Sequence, residues 1–77
     1  MGICSYLVIT APGSRDAVGR RIAAIPGCDV VPAEDHDLLL LVAEASEALS
    51  GRELRERVEA VEGVYAMALT FAEVEAP

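Results

Sequence analysis

The segment Val18-Gly19-Arg20-Arg21-Ile22-Ala23-Ala24-Ile25-Pro26-Gly27 returns 36 residues later as Leu54-Arg55-Glu56-Arg57-Val58-Glu59-Ala60-Val61-Glu62-Gly63. Val18, Ile22 and Ile25 match Leu54, Val58 and Val61, and each copy closes on a glycine. Apolar residues at i, i+4 and i+7 form one face of a helix. A glycine just beyond them reaches positive φ without strain and stops the helix. Each copy then leads into a strand-like run, so the chain is a doubled unit. Solenoids need three or more repeats for a continuous core, whereas two units can close on each other as one pair of layers.

The rest of the chain supplies the partners of these helices. Ile3 to Thr10 is rich in β-branched and aromatic residues and is stopped by Ala11-Pro12-Gly13, the pattern of a strand. Ser14 is placed to cap the first helix, which is expected to run to about Ile25. Cys28 to Val31 reads as a short strand, and Pro32 after it suits a sheet edge, where no ladder donor is lost. Glu34-Asp35-His36-Asp37 reads as a polar hairpin loop. Leu38 to Ala43 forms a third, wholly apolar strand. Ser50-Gly51-Arg52-Glu53 is a capping box for the second helix, whose polar side carries the i,i+4 pairs Arg52/Glu56, Glu53/Arg57 and Arg55/Glu59. Val64 to Phe71 is the last strand. The order βαββαβ is the ferredoxin-like α+β arrangement. It predicts a four-stranded antiparallel sheet, with strands one and three central and both helices on one face.

Composition narrows the function classes. The 77 residues are 53% hydrophobic and contain no Trp and no Lys; the formal net charge is −7. A chain of this size reads as one domain, residues 1–77, burying roughly 60–65% of its unfolded surface and leaving no room for a deep catalytic cleft. The acidic balance argues against nucleic acid, whose binding starts from a basic surface. Ile3 to Ile9 is too short for a secretory signal and lacks a basic lead. Leu38 to Ala43 falls far short of the roughly 20 residues of a membrane span. A cytoplasmic protein with no membrane insertion is expected. Cys4 and Cys28 then stay reduced and read as small buried hydrophobes; with one histidine and no paired-cysteine motif, no metal or cofactor site is expected.

A sheet with one wet face should alternate apolar and polar residues. The central strands here do not alternate. In the last strand, bulky Tyr65, Met67, Leu69 and Phe71 oppose small Ala66, Ala68 and Thr70; the bulky set is expected in the core and the small set on the open face. The open face is predicted to comprise Ser5, Leu7, Ile9, Leu39, Leu41, Ala66, Ala68 and Thr70. Exposed apolar surface of this extent marks an interaction site. Glu34, Asp35, Asp37 and Glu62 fall at one end of the strands, and Glu44, Glu47, Glu73 and Glu75 at the other. A peptide with paired arginines beside an apolar segment finds carboxylates for its guanidinium groups and apolar surface for the rest. Glu44, Asp35, Asp37 and Glu73 are the candidate arginine contacts.

Four segments together resemble the NapD family: Cys4-Ser5 in the first strand, Ile25-Pro26-Gly27-Cys28-Asp29-Val30, the aliphatic third strand running into Glu44, and Val61-Glu62-Gly63-Val64. The resemblance covers nearly the whole chain. It implies a ferredoxin-like, non-enzymatic cytoplasmic chaperone of the periplasmic nitrate reductase catalytic subunit. Such a chaperone binds the twin-arginine signal peptide of the precursor and delays export until the molybdenum cofactor is installed. Family matching favours Glu44 among the acids. Arg20-Arg21 is not itself such a signal, because it lies inside a predicted helix and Pro26 breaks the run of residues after it.

The alternative is a regulatory or small-ligand-binding domain that dimerises sheet to sheet, and a weak homodimer is compatible with either reading. An enzyme is the weakest class. Nothing in the chain brings a nucleophile, a base and its orienting group into one constellation, and there is no Gly-rich phosphate loop.

Overall fold

A computed structural model of the chain describes residues 2–74, and the side chains of residues 2–72. The elements run β1 (Gly2–Thr10), α1 (Arg15–Ala23), β2 (Cys28–Pro32), β3 (Leu38–Glu44), α2 (Gly51–Glu59) and β4 (Val64–Val74). The sheet order is β2-β3-β1-β4, and every neighbouring pair is antiparallel. This is the ferredoxin-like α+β arrangement, with β1 and β3 central.

The repeated segment produces the same local structure twice. Val18 and Ile22 of α1, and Leu54 and Val58 of α2, are buried in one core with Tyr6, Val8, Leu39, Leu41 and Ala43. Ile25 and Val61 pack against that core from just past the helices. Each helix ends alike: the Ile25 and Val61 amides donate to the carbonyls of Ile22 and Val58 at 2.9 and 3.1 Å. Gly27 (φ +88°) and Gly63 (φ +97°) then turn the chain back toward the sheet. Their carbonyls accept from Glu44 N and Ala11 N, both at 2.8 Å, which fastens each turn to the far end of a central strand. A Cβ at Gly27 would stand 2.5 Å from the Glu44 carbonyl oxygen, so close approach as well as φ requires glycine there.

The two helices start differently. Ser50 caps α2 as the sequence predicts, accepting from Glu53 N at 3.1 Å while the Glu53 carboxylate accepts from Ser50 N at 3.5 Å. Ser14 occupies the corresponding position before α1, but its backbone is already helical and its side chain makes no cap bond. The expected cap is therefore absent, and α1 stops at Ala23, two residues short of the predicted end. Of the predicted ion pairs, Arg52–Glu56 and Arg55–Glu59 form at 3.3 Å, and Glu53 turns back to the cap.

Cys4 and Cys28 both stand opposite Ala43, one from each neighbouring strand. Two strand spacings separate their backbones by about 9–10 Å, beyond the roughly 7 Å limit for a disulfide. Both are free; Cys28 is buried and Cys4 half-buried.

Candidate functional site

The strand register sorts the sheet residues into two faces, because cross-strand partners point the same way. On the helix side, Val8, Leu39 and Leu41 are fully buried. Their strand neighbours Leu7, Ile9, Leu40 and Val42 are exposed, at 36% to 43%. Leu39 and Leu41, predicted on the open face, are thus core residues, and Leu38, Leu40 and Val42 stand in their place. A strand apolar on both faces contains no sequence signal for its phase; the helices dock on the odd-numbered set because those residues share a face with Tyr6 and Val8.

The register orders the open face into four rows. Glu44 stands beside Ile3, which is in turn paired with Glu73. The next row reads Asp29, Val42, Ser5 and Phe71. Val31, Leu40, Leu7 and Ala68 follow, and then Leu38, Ile9 and Ala66. Neither α1 nor α2 covers these rows. Of the predicted residues, Leu7, Ile9, Ala66 and Ala68 lie together in the last two rows and Ser5 in the row before them.

The split expected along β4 holds only from Ala66 to Leu69, with Ala66 and Ala68 on the open face and Met67 and Leu69 on the helix side. Met67 packs against the core, but Tyr65, Leu69 and Phe71 are all more than half exposed. Two register shifts in the β1–β4 pairing explain this. One leaves Tyr65 without a partner between Val64 and Ala66. The other leaves Thr70 unpaired and brings Phe71 opposite Ser5, on the open face. Thr70 secures the second shift by donating its hydroxyl to the Ser5 carbonyl at 3.0 Å. Leu69 stays in register with buried Tyr6, but its outer position on an edge strand leaves it uncovered.

The two ends of the strands differ electrostatically. At the hairpin end, Thr10 donates both its amide and its hydroxyl to the Asp37 carbonyl, at 3.0 and 3.1 Å. The Asp37 carboxylate accepts the Gly13 amide at 3.2 Å. Arg15 reaches across from α1 to the carbonyls of Ala33 and His36. Asp35, His36 and Asp37 therefore gather with Arg15 and Asp16 around a shallow depression beside α1. At the other end, Glu44 and Asp29 are exposed and stand among the open-face rows. Glu73 lies in β4 opposite Ile3, and Glu75 falls outside the described residues. All six arginines of the chain belong to α1 and α2. Among the described residues, the charge on the open face is carried by carboxylates alone.

Asp29, Ile3, Leu38, Leu40, Val42 and Phe71 are open-face residues that the sequence pattern did not select. A trace of Asp29 is legible in the acid that alternates with Cys28 and Val30, since an edge strand with those two turned inward turns Asp29 outward. On the helix side, burial raises the pKa of Tyr6, aided by Cys4 beside it, and burial also pushes the Cys28 thiol up, with Asp29 adding to it. A thiol buried in this way stays protonated and is a poor nucleophile. Among the described residues no three His, Cys, Asp or Glu side chains gather to hold a metal ion. No helix of the described residues is long and apolar enough to cross a membrane.

The family model described as NapD protein matches residues 1–76. The chain belongs to the NapD family. A solved NapD structure agrees over nearly the same length: the E. coli Tat proofreading chaperone protein NapD superposes with a TM-score of 0.75 at 28% identity, covering 95% of this chain and 78% of that one. No curated protein matches the sequence. NapD proteins are chaperones and not enzymes, and the role of this chain is that of a chaperone.

Proposed function

We propose that residues 1–77 act as one NapD-like domain that binds the twin-arginine signal peptide of the periplasmic nitrate reductase catalytic-subunit precursor. Binding in the cytoplasm withholds the signal from export until the molybdenum cofactor is loaded. The observation that carries this reading is the uncovered apolar sheet face whose charges, among the described residues, are all carboxylates. Leu7, Ile9, Leu38, Leu40, Val42, Ala66 and Ala68 form the floor, with Ser5 and Thr70 at its polar margin. Carboxylate-bearing residues stand at both ends of this floor, Glu44 and Glu73 at one and Asp35 and Asp37 at the other, and the guanidinium pair is drawn to one of these ends.

The dimensions suit such a ligand. Ile3 to Ile9 spans about 20 Å at 3.3–3.4 Å per strand residue, which matches about 13 residues of helix at 1.5 Å each. That is the scale of a signal peptide's apolar segment of about 7–15 residues. Burying apolar side chains on both partners supplies the attraction, and bidentate guanidinium–carboxylate contacts supply the preference for arginine.

The test is a calorimetric titration of the chain with the signal peptide of its cognate catalytic subunit, beside a peptide with both arginines changed to lysine. The expected result is saturable binding that weakens at least tenfold with lysine. Absence of binding by either peptide, with a mass that rises with protein concentration, sinks the chaperone reading in favour of sheet-to-sheet dimerisation.

A further inference from the structure

The open face is not symmetric from end to end, and resting on the function proposed above, this asymmetry gives the bound peptide a direction. We infer that the peptide lies with its arginine-bearing N-terminal end at Asp29 and Glu44, and its apolar segment over Leu40, Leu7, Leu38 and Ile9.

The rows carry the argument. Asp29 stands opposite Val42, and Glu44 is two residues further along the same strand. The two acids are thus diagonal neighbours on one face, a relation that sets Cβ atoms about 7–8 Å apart. Two adjacent guanidinium groups can each take one carboxylate across such a gap, with Val42 and Ile3 beside them to receive the arginine stems. Moving along the strands from this pair, the next two rows contain no charge: Val31, Leu40, Leu7 and Ala68, then Leu38, Ile9 and Ala66. A segment that changes from cationic to apolar along its length matches this gradient in one direction only.

The hairpin end does not offer the same reception. The Asp37 carboxylate already accepts the Gly13 amide, and the Arg15 guanidinium is anchored on the Ala33 and His36 carbonyls beside Asp35. A peptide arginine arriving there meets a resident cation. In the reversed direction the arginines meet that cation while the apolar segment covers Asp29 and Glu44. Reversal therefore desolvates two carboxylates without pairing them.

Asp29 is the residue this inference adds. Asp29→Asn removes its charge while keeping its size, and is expected to weaken the signal peptide at least fivefold and to narrow the arginine-over-lysine preference. Asp37→Asn is expected to change affinity less than twofold. Equal losses from the two variants would overturn the assignment of the arginine end.

Direction is read separately by paramagnetic broadening in the isotopically labelled full chain, using the signal peptide with a nitroxide amino acid at its N-terminal or C-terminal end. The N-terminal label is expected to broaden the amides of Ile3, Asp29 and Glu44, and the C-terminal label those of Ile9, Leu38 and Ala66. The opposite pattern, or equal broadening at both ends, overturns the direction and leaves signal-peptide binding standing. A peptide that perturbs no open-face amide at all removes both.

Discussion

Leu40 and Leu41 are adjacent leucines of one strand that lie in different environments. Leu41 is fully buried beneath the helices, whereas Leu40 is 41% exposed on the bare face. The same contrast runs through β1, where Val8 is buried and Leu7 and Ile9 are not. Identical chemistry thus serves two ends: one face is consumed in holding the sheet to its helices, and the other stays available to a partner. Hydrophobic side chains on a central strand report folding only when their face is known.

Substitution on each face sharpens this division. The largest effect is expected from Leu41→Ala, which removes a fully buried side chain where closely packed neighbours cannot collapse; a loss of about 2–5 kcal/mol is expected in denaturant unfolding. An intermediate effect separates the two helix starts that hold the core layer. Ser50→Ala is expected to destabilise by about 1 kcal/mol, because it removes a formed capping box. Ser14→Ala should leave the unfolding midpoint almost unmoved, since its hydroxyl caps nothing. Leu40→Ala is likewise expected to change stability little, by about 0.5 kcal/mol. The same variant should weaken the signal peptide several-fold by calorimetry. A Leu40→Ala protein that unfolds as readily as Leu41→Ala would erase the distinction between the faces.

Much of the architecture was legible in the sequence. The 3.6-residue spacing of Val18/Ile22 and Leu54/Val58, the closing glycines and the Ser50–Glu53 box are local signals, and each reappears in the structure with its hydrogen bonds. The element order then left few ways to arrange the sheet. The Ser14 cap failed although its residue type is favourable, because a cap depends on the dihedral angles of the turn, and Ser14 has already entered the helical region.

The face was harder to read than the fold. Alternation assigns a strand's sides only when apolar and polar residues alternate, and Leu38-Leu39-Leu40-Leu41-Val42-Ala43 offers no contrast. In β4 the contrast exists, bulky against small, but two unpaired residues shift the phase along the strand and carry Phe71 to the open side. Asp29 shows the same limit, since its place beside Glu44 depends on the pairing of β2 with β3.

The sequence by itself determined the doubled βαβ unit, its helix stops, the apolar excess on the central strands and the membership of the NapD pattern. These rest on interactions between residues within about one helical turn or on strict order along the chain. Only the tertiary structure decided which leucines are covered, where β4 changes phase and which acids share the bare face with them. Those are set by strand register, a relation between residues far apart in sequence, and a shift of one residue exchanges the two faces entirely.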